Sequence, residues 1–134
     1  MLNQLIDHFL QDIQNSLIQN QIIANYFQGA YLSLQVHHLY PFLLINLNKS
    51  SNHSTSRIIQ CEIDFDICIF YRAKDNQTSL MIAQVDQIIH DLKTLAQKTY
   101  TPVGTRQQST SSCIAKDGIT TKFSINYLSF IRAK

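Results

Sequence analysis

From Arg57 to Arg72 apolar and polar side chains alternate for over a dozen residues. Ile59, Cys61, Ile63, Phe65, Ile67, Ile69 and Tyr71 fall on one side. Gln60, Glu62, Asp64 and Asp66 fall on the other, continued by Cys68, Phe70 and Arg72. A period of two over that length predicts one long strand with a buried face and a wetter, acidic face.

The flanking patterns place other elements around it. Leu2, Leu5, Ile6, Phe9, Leu10, Ile13 and Leu17 recur at three- and four-residue steps, the stripe of an amphipathic helix. A shorter helical piece is expected from about Asn20 to Phe27, stopped by Gly29. Tyr31, Leu32, Leu34 and Val36 read as a strand, His37–Pro41 as a turn, and the apolar run Phe42–Leu47 as a buried strand. Asn48–Ser56 has nothing to bury and is expected to be a mobile loop. A second long helix should begin at Thr78 or Ser79, either of which suits a cap. It carries its stripe on Ile82, Val85, Ile88, Ile89, Leu92 and Leu95 and fades by Lys98. Gln107–Ala115 reads as a polar strand, Asp117-Gly118 as a hairpin turn, and Ile119 to Tyr127 as the closing strand. The alternation shifts at Leu128 and Phe130, which calls for a bulge or a second covered face. Hairpins with helices set apart predict an α+β domain spanning 1–134: a mainly antiparallel sheet with the N-terminal helix and one long helix packed on one face.

Composition narrows the function. Of 134 residues 45% are hydrophobic and 15% charged, a balance that excludes a disordered chain. The net charge of +2 is unevenly spread. The first 48 residues hold Asp7 and Asp12 and no Lys or Arg, while 99–134 hold five cations against Asp117. This is too dispersed for a nucleic-acid footprint but suits head-to-tail contact between copies. Cys61, Cys68 and Cys113 lack metal-ligand spacing and, being three, form no disulfide framework, which fits a reducing compartment. Neither a signal peptide nor a membrane span is read.

The one carboxylate cluster, Glu62, Asp64 and Asp66, has three readings: a solvated face paired with Lys122 across the sheet, a cation site, or an acidic surface lining a pore or interface. His8 with Asp12 and His90 with Asp86 are helical neighbours suited to surface pairing. No nucleophile and base stand together and no glycine loop cradles a phosphate, so no catalytic residue, metal or cofactor is assigned.

With the elements placed, the chain resembles the tail-completion (tail-terminator, head–tail joining) family of tailed phages and related gene-transfer particles. The likeness lies in the N-terminal helix, the proline-started strand Pro41-Phe42-Leu43-Leu44-Ile45 and the strand through Asp66-Ile67-Cys68-Ile69-Phe70. It continues in the helix Ser79–Ala96 with Ile88-Ile89-His90-Asp91-Leu92, and in the hairpin Asp117-Gly118-Ile119-Thr120-Thr121 ending in Leu128-Ser129-Phe130-Ile131-Arg132-Ala133. It implies a non-enzymatic subunit, cytoplasmic during assembly and then in the virion tail. Such a subunit forms a ring, typically a hexamer, between tail-tube and head-completion or adaptor proteins, with DNA passing through. On that view the loop residues Lys49, Ser50, Ser51, Asn52 and His53 order against a neighbouring subunit, and Glu62, Asp64 and Asp66 line the passage. The rival class is a small α+β binding module, a secretion-chaperone-like or ligand-sensing dimer. A hydrolase built on Cys113 or the acidic ladder is a more distant third.

Overall fold

The computed structural model describes residues 2–34, 39–72, 74–75, 77–92 and 100–134. The first apolar stripe winds into α1 (Leu2–Gln19) and buries Leu5, Ile6, Phe9, Ile13 and Leu17. Asn20 breaks it and starts α2 (Gln21–Tyr26), its side chain accepting a hydrogen bond from the Ile23 amide. Phe27 is already extended, so α2 ends before Gly29 rather than at it. The short two-residue β1 (Ala30–Tyr31) is followed by β2 (Phe42–Asn52), β3 (Gln60–Arg72), α3 (Thr78–Asp91), β4 (Tyr100–Ile114) and β5 (Thr120–Ala133). The chain is α+β.

The sheet runs in the order β1-β2-β3-β5-β4. β1 is parallel to β2 and all other pairs are antiparallel. The inward side of β3 is Cys61, Ile63, Phe65, Ile67 and Ile69, all without exposed surface. The same side of the sheet carries Leu43 and Ile45 from β2, Ile125, Tyr127 and Ile131 from β5, and Tyr100 from β4. These pack with the buried stripes of α1 and α3 into one core. An aromatic chain runs through its middle: Phe9 meets Phe65 and Tyr100 edge-on at 5.7 and 5.8 Å, and Phe65 stacks on Tyr127 at 5.5 Å. Each such side chain contributes about 1.5–3 kcal/mol by burial alone.

Two buried tyrosines tie the sheet to the helices. Tyr100 donates to Asp12 of α1 at 2.6 Å, and Tyr127 to Asp86 of α3 at 2.7 Å. The aspartates expected to serve their helical histidines therefore face the sheet as well; His90 Nδ1 is 3.6 Å from Asp86.

Several expectations are corrected. Residues 48–52, read as loop, are the outer half of β2, paired with β3 across a bulge between Leu47 and Lys49. Beyond Leu47 both faces of β2 are wet, so the apolar signal vanishes while the backbone ladder continues. The turn that remains is tied to itself: Ser54 Oγ and the Gln60 backbone are in mutual hydrogen bonds, Gln60 Nε2 donates to the His53 carbonyl, and Thr55 Oγ1 accepts from the Ile58 amide. Of the strand expected over Tyr31, Leu32, Leu34 and Val36, the described residues show only Ala30–Tyr31. Leu32 and Leu34 are exposed, and Val36, His37 and His38 lie outside the described residues.

Neither Thr78 nor Ser79 caps α3. Gln77 holds that position with φ 67°, and Thr78 Oγ1 donates instead to the Asp75 carbonyl. The expected end of that helix, with Leu95 and Lys98, lies outside the described residues. β4 begins seven residues earlier than its polar run, at Tyr100. Ile119 is in the turn, 56% exposed, and β5 starts at Thr120.

Candidate functional site: the open face of the sheet

Helices cover one side of the sheet, so the polar residues of β3 point to the other. Strand pairing sets their neighbours. Glu62 lies between Ser51 and Phe130, Asp64 between Lys49 and Leu128, Asp66 between Asn46 and Asn126, and Cys68 between Leu44 and Ser124. The three carboxylates are half-buried.

At the centre, amides hold the carboxylates together. Asn126 Nδ2 donates to Asp64 and Asp66, both at 2.7 Å, and Asn48 Nδ2 reaches the same two oxygens at 3.1 and 2.9 Å. Asn46 donates to Asn48 and Gln108 to Asn126, which completes a band across four strands. Two bulges build it: the one after Leu47 turns Asn48 onto this face, and the one between Gln107 and Ser109 turns Gln108 onto it. Partial burial pushes the Asp64 carboxyl up. The hydrogen bonds from Asn126 and Asn48 and the charge of Lys49 outweigh this and hold it below the usual carboxylate range.

This arrangement corrects one reading. Lys122 does not pair with the carboxylates; it lies opposite Phe70, its ammonium 5.9 Å from the ring. Nor is there, among the described residues, a group of three or more His, Cys, Asp or Glu able to hold a metal. Amide donors occupy the positions a cation would take.

Toward the β1 end the face is aromatic. Phe42 stacks on Phe70 at 4.7 Å and meets Tyr40 at 5.3 Å, and the Arg72 guanidinium sits 4.3 Å over the Tyr40 ring. Phe42, Leu44 and Cys68 are buried here, outside the main core. At the opposite end Leu128 and Phe130 line a shallow hollow with Glu62, Val103 and Arg106. The break in alternation at Leu128 is therefore a partly covered second face and not a bulge in β5.

Of the residues assigned from sequence, Glu62, Asp64, Asp66, Lys49 and Ser51 share this face. Ser50 and Asn52 point to the helix side, past the end of the helices, and His53 packs against Phe130 at 5.6 Å. Sequence reasoning missed Asn48, Gln108 and Asn126. The first two depend on bulges, which leave no pattern in a polar run.

The cysteines are placed as their spacing requires. Cys61 faces the core and burial pushes its thiol up to about 11; Cys68 faces the open side, also raised by burial; Cys113 is exposed. No helix among the described residues is long and apolar enough to cross a membrane.

No protein-family model and no curated protein matches the chain. Solved structures do, with 27 matching chains. One is a chain from the virion of a native gene transfer agent (GTA) particle, with a TM-score of 0.73 and 11% identity, covering 90% of this chain and 91% of that one. At that identity the likeness establishes a shared fold from end to end.

Proposed function

We propose that this protein is a structural subunit of a tailed-phage-like or gene-transfer particle, a tail-completion or tail-terminator protein that forms a ring between tail and head. The observation that carries the reading is the near-complete, two-way coverage by a virion chain. A likeness that leaves so little of either chain over means that the whole subunit, not a common module within it, has the same build.

Its mechanism is surface fit. The outer half of β2, with Lys49, Ser50, Ser51 and Asn52, and His53 just beyond it are largely exposed and open to contact with a neighbouring copy. The open face, with Glu62, Asp64 and Asp66 at its centre, lines the DNA passage. The negative charge of this band repels the phosphate backbone, with the Asp64 carboxyl held below the usual range by Asn126, Asn48 and Lys49, while Arg106 and Lys122 at the margins limit that field. The partners are further copies of the chain, a tail-tube protein and a head adaptor.

Removing the gene from cells that make such particles should leave heads and tails unjoined in electron micrographs, with joining restored by the wild-type gene. Joined particles in normal yield without it would contradict the role. For the passage, Asp64→Asn with Asp66→Asn retains a hydrogen-bonding band without charge. It should leave particles intact and lower DNA delivery; unchanged delivery would count against the lining.

A further inference from the structure

Among the described residues the sheet has two open edges: β1 accompanies β2 only at Leu43 and Leu44, and no strand lies beyond β4. From Gln107 to Ile114 every residue of β4 is exposed, and from Asn46 to Asn52 every residue of β2 is exposed except the half-buried Ser51. Exposed edges usually carry charges or proline that deter another strand. Here Gln107–Cys113 has neither, and 46–52 has Lys49 alone.

We propose that these two edges pair with each other between copies: β4 of one subunit adds to β2 of the next, in antiparallel sense, so that the sheet continues from copy to copy. Three features favour a second copy as the occupant.

The direction is right. β2, β3, β5 and β4 alternate in direction, so β2 and β4 are opposed, and a neighbour in the same orientation continues the alternation. The faces also agree. Leu47 and Ile114 lie on the helix side of their strands, yet they are 40% and 68% exposed. Setting Leu47 opposite Ile114 buries both. With the β2 bulge counted, it then matches Ser50 with Ser112 and Asn52 with Thr110 on the helix side, and Ser51 with Ser111 on the open side.

The third feature is the stagger. Leu47 lies level with Gln107 in its own sheet, and Ile114 is six β5 residues away, so each copy is displaced along the strands by roughly 20 Å at about 3.4 Å per residue. Stagger of this kind is what closing a sheet on itself demands. The contact is head-to-tail, which closes into a ring when the rotation allows. This inference rests on the chain being a multi-copy subunit, but not on which particle it serves.

The test uses Leu47→Glu and Ile114→Lys, whose positions are exposed, with oligomer mass read by sedimentation across concentration. Wild type should assemble as concentration rises. Each variant alone should remain a single chain, and a one-to-one mixture should recover complexes, because each then offers the other one intact edge and one oppositely charged pair. Loss with Ile114→Lys only would mean β4 meets β4, and loss with Leu47→Glu only would mean β2 meets β2; either overturns the proposal. So would assembly by both variants, or a wild type that stays single at every concentration.

Hydrogen exchange on the wild type guards against variants that fail to fold. Amides in 46–52 and 109–114 should slow by roughly tenfold or more on concentration, and unchanged exchange there overturns the pairing. A chain that fails these tests yet co-purifies with particles would sink the edge pairing while leaving the virion role standing.

Discussion

At the scale of single residues, the described part of the fold holds one non-glycine residue at positive φ and a few polar anchors. Gln77 sits at φ 67°, where a β-carbon is unwelcome, and makes no compensating cap bond. Gln77→Gly should raise stability by up to about 1 kcal/mol in urea unfolding, set against the entropy glycine loses on folding. Tyr127→Phe removes the hydroxyl that Asp86 accepts from; the expected loss is about 1–2 kcal/mol, toward the low end because Asp86 is partly in water. Burial first, then the adjoining aspartates, push the phenols of Tyr100 and Tyr127 upward, so both remain protonated through the neutral range.

Asp64 titrates the other way. Its folded value is depressed, so its contribution is present above the ordinary carboxylate value of about 3.9 and lost as pH falls through the folded one. Asp64→Asn should therefore lose less stability than wild type between about pH 5 and pH 2, read from urea midpoints. An equal acid loss in both would mean the Asp64 hydrogen bonds contribute nothing.

At the scale of elements, legibility followed burial. α1, the middle of β3 and the inner half of β2 were readable because one face of each is packed, which stamps a period of 3.6 or 2 on the sequence. The hairpin between β4 and β5 was readable from turn chemistry. Gly118 takes φ 70°, and Asp117 accepts from the amides of Ile119 and Thr120, the bonds that hold its carboxyl below the usual range. Asp117→Ala should lower the melting temperature and loosen amides at the β4–β5 end first, as hydrogen exchange would show; uniform loosening would deny the turn its local role.

The outer half of β2 was illegible as a strand for the opposite reason. Held only by backbone pairing and wet on both faces, it carries no pattern. The outer part of β4 is as wet but was readable as a polar strand from Gln107, while its first seven residues were not. The acidic ladder was visible, but its amide partners on other strands were not, because strand order and bulges decide which residues meet.

At the scale of the whole molecule, helices cover the middle of one side of the sheet and the other side is a patterned surface without a catalytic grouping among the described residues. Function on this account lies in shape: two strand edges left open among the described residues, a carboxylate band and a fold shared along its length with a virion chain. The most direct measurement is to purify particles from cells carrying the gene and count this chain by quantitative mass spectrometry against the main head protein. A fixed, small copy number per particle, consistent with one ring, is the predicted result. Particles that lack the chain while the cells contain it in quantity would contradict the account.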